Sequence, residues 1–436
     1  MKTAFKALLA AILVLGVSTP FSSKAFVAPS AATNQAVAAD GFYGNVSGQR
    51  KDNLSQSNKT NYYADLAINA TGNAGAVWVQ NGPNPGASEV LATFWDGSKW
   101  VGKLNPNGPD NISGTPGVGS GVPAIVFDHN DNPMIAWGEG IGNGEARFVR
   151  WTGSAWRGMN GTTPYDVVDA GAATWPGKLS LAVNPANGYP AIAMGGVYVM
   201  RWNGSNWNGF TGAAYDYLSS GLPRNHSQPI IKFDNNGKPH VAWFVQGSYY
   251  YDRSIYYARF NGTNWSGLGG GPIDVVNTNT GLIESVPDLA IEQTTGVPAI
   301  VWAGTDTGAP QKTGIIFKHW NGGTWRGHSG APFDFAAETP AFAQPHIATS
   351  VGGAIGVLFS SDTNYNISYV QWLGSKWRGI SQLAPQPVGP LSPGGFADLE
   401  LDYYSYPNIL GVIGDNPSNS DQVNIYFTRW KGFPIN

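Results

Sequence analysis

Cysteine is absent from all 436 residues. That excludes a disulfide framework, thiolate metal ligands, a cysteine nucleophile and a lipid-modified N-terminal cysteine. Charge is scarce: Asp, Glu, Lys and Arg make up 12% of the chain, and the formal net charge is -3. Such a chain carries no basic field for a phosphate backbone, so nucleic acid is not an expected partner. Helical periodicity is missing beyond the first residues. Past that point no apolar run is long enough to cross a bilayer, and the C-terminal residues carry no recognisable anchor. What is abundant is Gly, at 58 residues, with Asn, Ser, Thr and 17 Trp. The surface expected from this composition is neutral and rich in hydrogen-bonding groups.

The first residues read as an export signal. Met1 to Lys6 form a basic start, Ala7 to Val17 an apolar stretch too short to span, and Ser23-Lys24-Ala25 a small-x-small cleavage site. An uncleaved membrane anchor is the alternative. The expected organisation is a signal peptide over 1–25, a flexible Ala/Pro/Ser/Asn-rich lead-in over 26–40, and one domain over 41–436. The expected location is secreted, periplasmic or on the cell surface, and the expected state is a monomer.

One hairpin recurs along the chain. Its first aromatic is Trp95, Trp151, Trp202, Phe260, Trp320, Trp372 and Trp430, at intervals of about 56 residues. Its second is Trp100, Trp156, Trp207, Trp265, Trp325 and Trp377. Between them stand pairs such as Asn203-Gly204 and Asn261-Gly262, which predict two-residue turns with positive φ at both positions. A second hairpin lies upstream of each, as in Ile230–Phe233 and His240–Trp243 around Asn235-Asn236-Gly237. Each unit therefore has four strands, A to D. The period predicts an all-β, seven-bladed β-propeller with four antiparallel strands per blade; a solenoid would want capping repeats that are not visible. The seventh unit stops at Trp430-Lys431-Gly432, without room for strand D. Gly41-Phe42-Tyr43-Gly44 resembles a strand D with Phe42 at the Trp position, so the N-terminal strand is expected to close the last blade.

Trp320-Asn321-Gly322-Gly323-Thr324-Trp325 resembles the second half of the Asp-box of bacterial sialidase-like propellers. The Asp-box acid is replaced by Trp320, and by Trp202 or Phe260 in other units, so the resemblance is to a degenerate form. It implies a propeller. Such propellers include hydrolases, lyases, lectins and scaffolds, so function rests on a site.

Repeated residues read as scaffold. The Trp pairs, and Trp78, Trp137, Trp243 and Trp302 in strand B, are expected to pack between blades, with sugar platforms as the competing reading. Asp110, Asp166, Asp216, Asp274 and Asp334 recur after strand D and are expected to cap backbone amides, against one calcium ion per blade. The six histidines show no close pair with ligand spacing, so no metal or cofactor is expected.

Residues that break the repeat are the functional candidates. The B–C and D–A loops share one face of a propeller and differ most between units. They supply Glu139 and Arg147, then Arg224, His226, Tyr249, Tyr250, Tyr251, Asp252 and Arg253 from unit four. Glu284, Asp306, Lys312, Asp362, Tyr365 and Asp415 come from later units. The leading reading is a binding module for carbohydrate or another surface polymer, whose hydroxyls pair with amide and carboxylate groups beside an aromatic face. A polysaccharide lyase would use Tyr251 or His226 for proton transfer and Arg224 or Arg253 to neutralise a uronate. A hydrolase would take two of Glu139, Asp252, Glu284 and Asp306. A protein-binding scaffold or adhesin is the third class. Sialidase activity fits poorly, because most arginines belong to the repeat.

Overall fold

Strand B is apolar on both faces, because each blade is wedged between two others. Val241, Ala242, Trp243 and Val245 are fully buried, as are Val77, Trp78 and Val79 in blade one. The computed structural model describes residues 41–431, apart from 47–48, 83, 85, 141–144, 169–176, 223–224, 247–252, 279–280, 284, 307, 309, 340–343, 362–365, 389–396 and 415–422. The export signal and lead-in lie outside the described residues, among which there is no helix.

The strands form seven antiparallel sheets arranged as a β-propeller. In blade one, strands A to C are Asn61–Ile68, Ala74–Asn81 and Ser88–Trp95. Strand D comes in two pieces, Trp100–Val101 and Asp110–Asn111, both paired to strand C. The A strands pack against one another around the ring, that of blade seven against that of blade one. The core is divided accordingly. Seven apolar clusters each join two adjacent blades, as Val77 and Phe94 of blade one meet Ile135, Trp137 and Trp156 of blade two.

Closure follows the expected route. Gly41, Phe42 and Tyr43 pair with Lys431, Trp430 and Arg429, and Asp52 with Phe427. Phe42 is 2% exposed and meets Trp430 edge to face at 5.2 Å. The two chain ends thus share one sheet, which leaves no unpaired edge at that junction.

The C–D turn departs from expectation. Trp202 pairs with Trp207, leaving a four-residue loop in which Asn203 N–H donates to the Asn206 carbonyl at 3.0 Å. Gly204 has φ +104°, but Asn203 does not share its positive φ. The Asn203 Oδ1 accepts the N–H groups of Ser205 and Asn206 at 2.9 Å each. The side chain replaces the second left-handed residue as organiser of the turn.

Candidate functional site: the channel and its mouth

The two faces of the ring are built differently. On one, the A–B turns are short and three of them are closed by an acid: Asp128, Asp234 and Asp402 each accept two turn N–H groups through Oδ1. On the other, the B–C connection is residues 195–197 in blade three, 247–253 in blade four and 306–312 in blade five. Backbone strain gathers on this irregular face. Gln56, Tyr63, Val197 and Gln228 hold φ of 43°, 53°, 75° and 51° there. Such conformations are costly for bulky residues and persist only where surrounding structure imposes them.

Two of these strained residues sit in matching bulges. Strand A of blade one slips register between Tyr62 and Asp65, and that of blade four between Ser227 and Ile230. Each bulge follows a polar residue that satisfies a buried indole. Trp78 Nε1 donates to Asn61 Oδ1 at 3.0 Å, and Trp243 Nε1 to His226 Nδ1 at 2.9 Å. The bulges re-aim Tyr63 and Gln228 at the rim, a usual purpose of an inserted residue. Tyr63 is 40% exposed, with its ring edge-on to Tyr62 at 4.9 Å. Tyr62, Tyr63 and Gln228 escaped the sequence reading because a bulge leaves no periodic signal.

The other expected site residues divide. Glu139 is 2% exposed, accepting from Thr115 Oγ1, Ser120 Oγ at 3.1 Å and Trp137 Nε1 at 2.6 Å. Arg147 lies 3.6 Å from it, bonds Glu145 at 2.9 Å and stacks on Tyr165 at 4.3 Å. These two charges therefore meet, but as a wall of the mouth. Asp306 caps its loop through the N–H of Lys312, whose Nζ pairs with Glu338. His226 packs at 5.7 Å from Tyr256, on the side of blade four facing blade three. Arg253 lies over Phe244 and donates to the Ile283 carbonyl, on the side facing blade five. His226 and Arg253 are thus on opposite faces of one sheet. Arg224, Tyr249, Tyr250, Tyr251, Asp252, Glu284, Asp362, Tyr365 and Asp415 lie outside the described residues.

Below the mouth the A strands enclose a channel of about 380 Å³. Its lining includes Asp65, Lys232, Asp288, His346, Asp398 and Glu400. Three of the acids stitch blades together: Asp398 accepts from Leu66 N–H at 2.8 Å, Asp65 from Ile125 at 2.7 Å and Asp288 from Ile347 at 2.9 Å. Burial, then the adjacent Asp398 charge, raise the Asp65 pKa well above its ordinary value, against the Ile125 N–H and the Lys232 charge. Burial also pushes Glu400 up to about 7, although Lys232 opposes it. Burial works against the Lys232 charge, yet Glu400, Asp288, Asp398 and Asp65 together hold its pKa above the ordinary value. The sequence carried a signal for this lining: Lys232 and Glu400 stand where other blades have Ala67, Ala182, Ala290 and Ala348.

The repeated acids do cap turns, and they also join blades. Asp110 accepts the N–H groups of Lys103, Leu104 and Asn105, and in addition Trp156 Nε1 of the next blade at 2.9 Å. The same indole bond links Trp100 to Asp52, Trp207 to Asp166, Trp265 to Asp216 and Trp325 to Asp274, at 2.8–3.0 Å. A Cβ on Gly102 would collide with the Asp110 carboxylate, which explains the Gly two residues after each second Trp. The Trp pairs meet edge to face within the wedges. One expectation fails: His319 and His328 are a pair, their ring centroids 4.0 Å apart, because the loop between the two pieces of strand D folds back across strand C.

No family model and no curated relative matches this chain. Among solved structures it is similar to the polysaccharide lyase Uly1, with a TM-score of 0.51 at 12% identity over 93% of this chain and 94% of that one. An ulvan lyase bound to a glucuronate–sulfated rhamnose unit aligns with TM-score 0.47 and 13% identity, over 89% and 94% of the two chains. The microbial sialidase Hz136 aligns with TM-score 0.43 and 14% identity, over 88% and 68%. At these identities the likeness is one of fold alone: this chain is a seven-bladed β-propeller.

Proposed function

We propose that this protein binds a carbohydrate polymer at the irregular face of the ring, over the mouth of the channel. The reading is carried by the paired bulges of blades one and four. They place an exposed aromatic, Tyr63, and the amide residue Gln228 on the irregular face at the cost of strained backbone, Gln228 standing two residues after His226. An aromatic face on one blade, with amide and imidazole groups on another across the mouth, suits a polymer of sugar rings, which present C–H patches and hydroxyls together. Calorimetric titration against a panel of polysaccharides tests it. Tyr63→Ala and His226→Ala are each expected to weaken binding about tenfold or more, as loss of an aromatic or polar anchor does. Tyr404→Ala serves as control, being 54% exposed on an A–B turn of the opposite face. No glycan binding, or equal losses in all three variants, would sink the proposal.

Eliminative cleavage is the second reading, favoured by the contact of His226 with Tyr256. One group would take the proton from C5 of a uronate while the C4–O bond breaks, C4=C5 forms and the other group protonates the leaving oxygen. Accumulation of unsaturated uronate ends during incubation with uronate polymers, abolished in Tyr256→Phe, supports it. Their absence leaves binding without catalysis.

A further inference from the structure

Blade five breaks the repeat at three positions, and the fold brings all three to one point. At the end of strand A, where blades two, four and seven have Asp128, Asp234 and Asp402, it has Glu292. Before the first Trp, where four other blades have Arg150, Arg201, Arg259 and Arg429, it has His319. After the Gly that follows strand D, where Met159, Phe210, Leu268 and Ile380 fill their wedges, it has His328. His319 Nδ1 lies 3.0 Å from Glu292 Oε1, and His328 Nε2 lies 3.8 Å from the same oxygen. All three donor atoms fall within 4.8 Å of one another.

We propose that Glu292, His319 and His328 form a binding site for a divalent first-row transition ion, with zinc as the reference case. Ligands held at about 2.0–2.2 Å in a tetrahedral array stand roughly 3.3–3.5 Å apart, and the observed 3.0 and 3.8 Å bracket that spacing. Two imidazoles and a carboxylate are a donor set for zinc, cobalt or nickel more than for calcium or magnesium. The ligands are held ready. The His328 ring is clamped between Phe317 at 4.8 Å and Trp372 at 4.9 Å, and its Nε2 is buried without a hydrogen-bond partner. Thr295 Oγ1 donates to the other oxygen of Glu292 at 3.0 Å, orienting the carboxylate in the manner of an outer-sphere partner. Three protein ligands leave a fourth position for water, and side-chain exposures of 12–17% let an ion enter.

The site would also tie strand A, strand C and the loop between the two pieces of strand D of blade five together. The junction of this blade with the next lacks the indole–carboxylate bond, Trp377 Nε1 being buried without a partner. The site sits at the A–B and C–D end of the ring and is independent of glycan binding.

Protein stripped with a chelator and titrated with Co²⁺, then Zn²⁺, tests the assignment. The expected result is one Co²⁺ per chain with the strong visible absorption of a tetrahedral centre, displaced by Zn²⁺, and a higher Tm in the presence of either ion. His328→Leu installs the residue that blade four uses at this position, so it should fold. It is expected to lose affinity by more than the roughly 10- to 100-fold that an outer-sphere partner is worth. Glu292→Gln, with folding verified by near-ultraviolet circular dichroism, provides a second variant with the same expectation. Absence of stoichiometric uptake by the unmodified chain would overturn the proposal, as would undiminished uptake by either variant.

Discussion

The wedges between blades and the central channel are both interior, yet they are built on opposite plans. In the wedges the same residues recur, and a polar group buried there finds its partner in the adjacent blade, as Trp156 finds Asp110. In the channel the positions that are alanine in four blades become Lys232 and Glu400, and carboxylates crowd within reach of one another. Where the indole–carboxylate bond is made, wedge polarity is satisfied pairwise and serves assembly. Channel polarity is crowded and leaves Asp65 and Glu400 with strained ionisation, as happens where chemistry or recognition is placed. Repetition marks the scaffold, and departure from it marks sites.

The largest expected effect lies in a wedge. Asp110→Ala removes the acceptor of three backbone N–H groups and one indole, and should cost about 3–5 kcal/mol as those donors lose their bonds. Asp334→Ala should cost less, about 1–2 kcal/mol, because Asp334 serves Ser329 but not Trp377. Denaturant midpoints measure both. Equal losses would mean that the indole bond contributes nothing.

A gain of smaller size is expected at the closing junction. Where the repeat would have Asp, blade six has Gln386, which accepts from Ser381 at 2.7 Å just as Asp334 accepts from Ser329. Where the next blade would have Trp, the N-terminal strand has Phe42. The two substitutions go together, since without an indole there is nothing for a carboxylate to receive. Phe42→Trp combined with Gln386→Asp should therefore be more stable than the sum of the single changes by about 1–2 kcal/mol in a double-mutant cycle. Strict additivity would show that the two positions do not communicate.

The last effect belongs to the channel and depends on pH. Glu400 has its pKa raised from 4.5 to about 7 by burial, so the folded chain binds more protons than the unfolded chain between those values. The contribution of Glu400 to stability is full below pH 4.5 and is lost as pH rises through 7. Glu400→Gln should flatten that part of the pH–stability curve while leaving the wedge variants' losses unchanged. An unaltered slope would show that Glu400 ionises in the channel without penalty.

Much of the scaffold was legible because each of its features is local and repeated. A strand, a turn and the spacing from Trp95 to Trp100 are written in a few consecutive residues and then written again. Even the borrowed strand at Phe42 could be found by matching it to the other copies. The C–D turn was misassigned because Asn203 serves it through its side chain, which a backbone rule for Asn-Gly does not register. The rim residues Tyr63 and Gln228 were illegible because a bulge depends on the neighbouring strand. The histidine pair was missed for a related reason: His319 and His328 stand nine positions apart, and only the fold-back of the loop between the two pieces of strand D closes that distance.

Sequence alone determined the seven blades, their four strands and the closure of the ring, since burying an apolar pattern of that period on both faces of a sheet leaves few other solutions. Tertiary structure alone decided which charges meet. Lys232, Glu400 and Asp398 come from blades four and seven, and the ring brings their A strands around one channel. Glu292, His319 and His328 come from three parts of one blade. Electrostatic and ligand contacts depend on distances of a few ångströms, and such distances between remote residues exist only once the blades have packed.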